Sequence, residues 1–321
     1  MPIVTIAVIG SGVSGLVAAY LLSRRYSVEL FEAQMKLGGH VNTVDVDDPR
    51  AGRLAIDTGF IVHNRPNYPN LVRLFDELGI ATQASDMSFS VESPAEGFAY
   101  RAGNLRRQRQ LLAGPSGRRL LVEILRFLVV GRRDLQRGVG DVTLAVYARR
   151  RGFSERFLRL YAVPMTAAIW SMPPAGAAHM PAQFVLRFFD NHALLGLRRH
   201  RWRTVVGGAR RYVTALEKRL PGPIHLARPV TGIRRDPAGV TVTTADGEDR
   251  FDAVVVATHA DQALRLLADA DEVEQRVLGT FRTTANRATL HYDQTLLPPE
   301  QSAWASWNVR NDDDSAPVLT Y

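Results

Sequence analysis

Cysteine is absent from this chain of 321 residues. Its absence excludes disulfides, thiolate metal sites, a cysteine nucleophile and any cofactor linkage through a thiol, while saying little about compartment. Lysine is almost absent as well. Lys36 and Lys218 are the only two, so arginine supplies nearly all the positive charge behind the formal net value of +8. A coding bias toward arginine and a functional basic face both account for that excess. Aromatic residues make up 8%, and no aromatic-rich basic pattern argues for a nucleic-acid surface. Neither a Ser-His-Asp arrangement nor a metal-ligand spacing stands out, and His63, His179, His192, His200, His259 and His291 are scattered. Long apolar runs are lacking. Only Ile3 to Leu22 tempts a signal-peptide or membrane-span reading, but glycines interrupt it and no basic region precedes it. One hydrophobic core is outgrown at this length, so two joined lobes are expected.

What is present begins at Val4. Val4 to Ile9 is an unbroken apolar, mostly β-branched run, the mark of a central parallel strand buried on both faces. Gly10-Ser-Gly12-Val-Ser-Gly15 follows, then LVAAYLLSRR with helical periodicity, then the β-rich SVELFE ending at Glu32. In such a unit Gly10 permits the tight turn, Gly12 lets backbone N–H groups approach a pyrophosphate, and Gly15 lets helix and strand pack closely. The diphosphate then meets the positive end of the helix dipole. Glu32, about twenty residues past the first glycine, is placed to accept hydrogen bonds from a ribose, and it disfavours a 2′-phosphate and hence NADP. Further on, GVTVTTADGEDR carries a hairpin signal with Asp246-Gly247 as the turn. From Leu144 to Arg201 the pattern is helical, interrupted by Pro164, Pro173, Pro174 and Pro181. Basic residues crowd the stretch from Arg106 to Arg137 around an apolar middle, LLVEILRFLVV. A helix packed in a core or between lobes is one reading; a helix over 119–137 resting on an anionic membrane surface is the other.

After Glu32 the chain reads AQMKLGGHVNTVDV, with paired glycines soon after the acid. The pattern EAxxxxGGHxxT is similar to the second flavin motif of the FAD-dependent amine oxidase, phytoene desaturase and protoporphyrinogen oxidase superfamily. IDTGFIVHNRPNYPNLVRLFDELGI resembles that family's "DxG" segment, and WRTVVGGARRYVTALEKRL its later "GG" helix start. The stretch from ARPVTGIRR to ATHADQALRLL resembles the strands by which the chain returns to the nucleotide lobe. Within the superfamily the chain looks closest to a bacterial group of FAD-binding, amine-oxidase-like proteins, through VPMTAAIWSMP, FFDNHALL and LHYDQTLLPP.

The resemblance implies an α/β fold with FAD as cofactor. A Rossmann-type, glutathione-reductase-like domain with a parallel sheet would fill 1–84 and 202–280, its returning strands at 225–260. A largely helical, mixed α+β substrate domain would be inserted at 85–201, with 281–321 starting its return strands. Cofactor contacts carry over to Gly10, Gly12, Ser14, Gly15, Glu32, Ala33, Gly38, Gly39, His40, Asp57, Thr58, Gly59, Val230 and Thr258. The backbone at Val230 would hold adenine. His63 and Asn64, just after DTGF, would contact flavin or substrate. Met165 and Trp170 either wall an apolar pocket or pack in a core. Flavin amine oxidases hold a water near the flavin with a lysine; a rough alignment places Arg287, within a segment that also holds Asn286 and His291, at that position. Arginine stays protonated and is a poor proton acceptor. The expected activity is removal of hydride from a small or lipid-like organic substrate, with desaturation as open as amine oxidation and with oxygen or a quinone as acceptor. Alternatives are a flavoprotein isomerase or mutase, or an inactive nucleotide-binding scaffold. The superfamily continues past the strand-like SAPVLTY, so a C-terminally shortened chain with weak flavin retention is expected. So is a cytoplasmic location, with or without peripheral contact at the inner membrane face.

Overall fold

The computed structural model describes residues 4–102, 114–196, 199–283, 285–311 and 318–321. Residues 106–113 of the basic stretch, and Ser315 to Pro317 of the terminal SAPVLTY, lie outside the described residues. The chain divides into two compact units: Met1–Val62, Pro69–Gln83 and Thr204–Thr289 form the first, and His63–Tyr68, Ala84–Arg203 and Leu290–Tyr321 the second.

The first unit is built on a four-stranded, all-parallel sheet. β1 (Thr5–Ile9) lies at its centre between β2 (Ser27–Phe31) and the late strand Ala253–Val256, and the short strand Ile224–His225 flanks β2. α1 (Val13–Leu22) connects β1 to β2. Alternation along β1 explains the apolar run Ile6–Ile9. Ile6 and Val8 pack with Leu16, Ala19, Phe75, Tyr212 and Leu216, which are helix residues. Ala7 and Ile9 pack with Phe31, Ile233, Val242 and Phe251. Three of those come from an antiparallel meander, Val230–Asp236, Gly239–Thr244 and Gly247–Phe251. Burying one such large side chain contributes about 1.5–3 kcal/mol, so a strand covered on both faces anchors the unit. The meander contains the expected hairpin with its turn shifted by one residue: Thr244 pairs with Gly247, leaving Ala245 and Asp246 as the corner.

In the second unit a four-stranded sheet runs in the order 318–320, 307–310, 89–93, 98–102; the central pair, Trp307–Arg310 and Phe89–Ser93, is parallel and the other pairs are antiparallel. Its core gathers Leu120, Phe127, Phe153, Phe157, Tyr161 and Phe189 with the sheet residues Val91 and Val309. Met165 and Ala168 belong to that core and Trp170 packs against it, which favours core packing for the PMTAAIWSM segment. Prolines 173, 174 and 181 separate helices as expected. Pro164 does not. Helical backbone continues from Glu155–Phe157 through a π-helical segment, Leu158–Ala162, into Val163–Trp170. Proline supplies no N–H to the carbonyl four residues back, here that of Leu160. The Tyr100 hydroxyl donates to that oxygen at 2.7 Å instead.

Candidate functional site

The strongest site lies in the first unit, where β1 ends. Gly10 takes φ +96°, a left-handed value that an L side chain rarely adopts. Gly15 is required by space. A Cβ there would sit 1.8 Å from the carbonyl oxygen of Gly10. Gly12 differs, because a Cβ there would meet no atom within 4 Å. As N-cap of α1 it offers no side-chain cap, no acid occupies the first turn, and Val13 and Ser14 are exposed. Among the described residues the first N–H groups of the helix therefore have the dipole behind them and neither a side-chain cap nor a first-turn acid to satisfy them.

The second glycine segment closes on the first. Gly38 donates its N–H to the Ser11 carbonyl at 3.0 Å and bridges to Gly12 in parallel fashion. A Cβ on Gly39 would approach the Gly12 Cα to 3.0 Å. Gly59 is pressed against His40, where a Cβ would come within 1.9 Å of the carbonyl oxygen, and Thr58 donates its N–H to the Asn42 carbonyl. Thr258 lies beside Gly10: its Cγ2 would be 3.3 Å from a Cβ built there. The rings of His40 and His259 stack at 5.3 Å. Three separate stretches of sequence thus meet beside the start of α1.

Glu32 directly follows β2 and is buried, at 8% exposure. One carboxylate oxygen accepts from both the Ser11 N–H (2.9 Å) and the Ser11 hydroxyl (2.5 Å), and the other accepts from the Gln34 N–H at 2.8 Å. The first oxygen is filled by its two bonds, while the second keeps a lone-pair site with which a ribose hydroxyl can still be accepted. The carbonyl of Glu32 takes the Arg228 N–H at 2.9 Å, which brings the segment leading to Val230 alongside. Ala33 is exposed.

Sequence reasoning missed the support beneath this site. Asp57 accepts from the Ala209 N–H with both oxygens, at 2.9 and 3.0 Å, and from the Thr43 hydroxyl at 2.5 Å. Thr43 Oγ1 in turn accepts the Arg210 N–H at 3.0 Å. Gly208, at φ +87°, passes so close that a Cβ would lie 2.4 Å from the Thr43 Cγ2. The start of helix Arg210–Glu217 is thereby tied to the hairpin Thr43–Asp57, residues some 150 positions away in sequence. Ser11 was missed also, although it sits inside the glycine motif. Its zero exposure and its two bonds to Glu32 appear only in three dimensions.

His63 and Asn64 belong to the second unit, in a two-residue strand paired with Arg203 and Trp202. Both are buried. Burial lowers the His63 pKa below the ordinary imidazole value, and the positive charges of Arg203 and Arg65 add to the effect, so the ring is neutral near pH 7. The Asn64 side-chain oxygen accepts the Asn67 N–H at 2.9 Å, while its buried Nδ2 has no hydrogen-bond partner among the described residues. Arg287 lies elsewhere. It is exposed, in a stretch of the first unit without regular secondary structure that also holds Asn286, and His291 is likewise exposed, in the second unit. Among the described residues no ion pair or hydrogen bond joins Arg287 to the glycine segments.

A parallel α/β unit with an uncapped helix N-terminus, close-packed glycines and a buried acid just after β2 defines a dinucleotide-binding class of protein. The chain belongs to the flavin containing amine oxidoreductase family, whose pattern it matches over residues 13–316. FAD is the cofactor of that family, and the cradle fits it: uncapped backbone donors for a diphosphate, space at Gly12, and a carboxylate for ribose. Among solved structures, the chain is similar to a CLA-producing fatty acid isomerase from P. acnes, at 19% identity and TM-score 0.59 over 86% of this chain and 63% of that one. It is also similar to cyclohexylamine oxidase from Brevibacterium oxydans IH-35A, at 20% identity and TM-score 0.61 over 87% of this chain and 63% of that one. A protoporphyrinogen oxidase-like protein from Exiguobacterium sp. 255-15 matches at 18% identity and TM-score 0.64, over 97% of this chain and 70% of that one. At these identities the likeness is one of fold. The chain spans just under two thirds of the length of the isomerase and of the cyclohexylamine oxidase. No curated protein matches the sequence.

Proposed function

We propose that this chain acts as an FAD-dependent oxidoreductase that removes hydride from a small or lipid-like organic substrate. The observation that carries the reading is the glycine cradle, where an uncapped helix N-terminus begins at a Gly12 that has room in front of it. In this reading the first unit is a Rossmann-type FAD domain. The N–H groups at the start of α1 hold the diphosphate, Glu32 orients the ribose, and Asp57 keeps Gly208 and Ala209 in place along the cofactor. The bound flavin would supply two-electron redox chemistry, and the protein its orientation and surroundings.

Within the second unit, His63 and Asn64 are the groups proposed to contact flavin or substrate. Their burial, the neutral imidazole and the unpartnered amide nitrogen of Asn64 support that role. Oxidation of an apolar substrate is favoured over amine oxidation. Lys36, which donates to Asn42, and Lys218, at the end of a surface helix, are the only lysines in this sequence. Neither stands in the segment where flavin amine oxidases place theirs, and Arg287 is no substitute as a proton acceptor.

The deciding experiment is an FAD titration followed by anaerobic addition of amines, polyunsaturated lipids and porphyrinogens, read by flavin absorbance. Bleaching by one class of substrate supports the oxidoreductase and names its substrate. Turnover without net bleaching would instead indicate the isomerase reading. No affinity for FAD, or a preference for a nicotinamide nucleotide, would overturn the proposal.

A further inference from the structure

The helix Pro115–Arg137 in the second unit has two contrasting faces. Leu120, Phe127 and Gly131 are buried. Its two carboxylates also point inward and are occupied. Glu123 accepts from the Ser154 N–H at 2.8 Å and hydroxyl at 2.7 Å, and Asp134 accepts from the Tyr147 hydroxyl at 2.9 Å and from Arg151 at 2.6 Å. The outer face therefore carries no acid of its own.

On that outer face Val122, Leu125 and Val129 are 62%, 45% and 70% exposed. Their spacing places them in one row along the helix. The same periodicity sets Arg119, Arg126, Arg133 and Arg137 down one flank and Arg132 down the other, with Arg118 near the N-terminal end; all six are exposed. Arg126 is engaged with the ring of Phe153 and with the Gly152 carbonyl, and Arg132 lies 3.4 Å from Asp190. Arg118, Arg119, Arg133 and Arg137 have no ion pair among the described residues.

An aliphatic row edged by arginines, with every acid turned away, needs a partner that is apolar in the middle and anionic at the margin. Nucleic acid would satisfy the guanidinium groups but leave the aliphatic row without a counterpart, since the row holds no aromatic ring to stack on a base. A bilayer rich in anionic lipid satisfies both, taking aliphatic side chains at the acyl boundary and arginines at the headgroups. A helix of 23 residues, about 35 Å long, presents that face lengthwise. It would lie in the surface; no helix among the described residues is long and apolar enough to cross a membrane. We propose that the outer face of Pro115–Arg137 docks the protein peripherally on an anionic lipid surface.

The test is sedimentation of the whole chain with vesicles of phosphatidylcholine alone or containing about one third phosphatidylglycerol. Binding to the anionic vesicles only, weakened as the screening length falls from about 10 Å at 0.1 M salt to about 3 Å at 1 M, is expected. Each basic residue near such a surface contributes about a fivefold factor, so Arg119→Gln/Arg133→Gln/Arg137→Gln lowers the partition coefficient about a hundredfold. A control of equal charge, Arg234→Gln/Arg276→Gln/Arg282→Gln in the first unit, leaves vesicle binding within severalfold of the parent. Val122→Ser/Val129→Ser weakens the binding that survives at high salt. Thermal melts confirm that each variant is folded. Equal loss in the control triple would show generic charge attraction and overturn the proposal. So would equal binding to neutral vesicles, RNA binding without vesicle binding, or self-association through this face without vesicle binding.

Discussion

Gly12 and Gly15 are glycines of one motif with different reasons for being glycine, and substituting each by alanine separates binding from folding. At Gly15 the new methyl would meet the Gly10 carbonyl oxygen at 1.8 Å and its carbon at 3.0 Å, both backbone atoms that no rotamer change can move. Relief requires shifting α1 from β1, so Gly15→Ala should lose about 3 kcal/mol or more of stability. At Gly12 the methyl meets nothing, and the backbone, at φ −59° and ψ 174°, suits alanine. Stability of the ligand-free protein should change by less than about 1 kcal/mol. The methyl would, however, occupy the space proposed for the diphosphate. Losing one charge-assisted backbone hydrogen bond there costs about 1.5–3 kcal/mol, a ten- to hundredfold rise in Kd. Guanidinium unfolding with and without FAD reads both quantities. At FAD equal to one hundred times the parent Kd, the parent gains about 2.7 kcal/mol, whereas a variant with hundredfold weaker binding gains only about 0.4 kcal/mol. Gly12→Ala with an undiminished gain, or with a loss of stability matching Gly15→Ala, would refute the placement of the diphosphate.

Other expectations follow from the same geometry. Glu32→Gln should weaken FAD binding about tenfold or more in a fluorescence titration, since the neutral amide replaces charge-assisted acceptance from a ribose hydroxyl. Ser11→Ala removes a 2.5 Å hydrogen bond to the same buried carboxylate and should cost about 1–3 kcal/mol in denaturant unfolding. Ala227 sits at φ +52° in the turn that donates its N–H to the Gln34 carbonyl, so Ala227→Gly should stabilise the protein by about 0.5–1 kcal/mol. His63 and His192 both have imidazole pKa values lowered chiefly by burial. The unfolded chain therefore takes up their protons first as pH falls, and the stability they contribute, complete above about pH 6.5, is lost as pH drops through their folded values. The double variant His63→Gln/His192→Gln should flatten that part of the stability-against-pH curve; an unchanged slope would assign the loss to other groups.

The strand, turn and helix from Thr5 to Leu22 were legible because their rules are local. A β-branched run, glycines at the spacing of a phosphate-binding turn and a helical period need no knowledge of the rest of the chain. The meander at Val230–Phe251 was legible on the same grounds, although its turn falls one residue early. What could not be read is contact between distant segments. Nothing near Asp57 announces that both of its oxygens hold the Ala209 N–H, and nothing near Pro164 announces that Tyr100 donates to the carbonyl the proline leaves free. Proline was expected to end a helix; a donor from another strand lets the helical backbone pass through. Arg287 shows a further limit, because the expected position came from alignment alone, without a pattern of burial to support it.

The strand Ala253–Val256 pairs with β1, and Ala257 packs against Gly10. During synthesis the ribosome must therefore add about two hundred residues after Gly59 before this last wall exists. At roughly 5–20 residues per second that is a delay of about 10–40 s. The nascent chain carries an apolar first strand through that interval with one neighbour missing, so the protein's yield in cells should depend on how well chaperones shelter it, and cofactor supply can help only after the delay has passed.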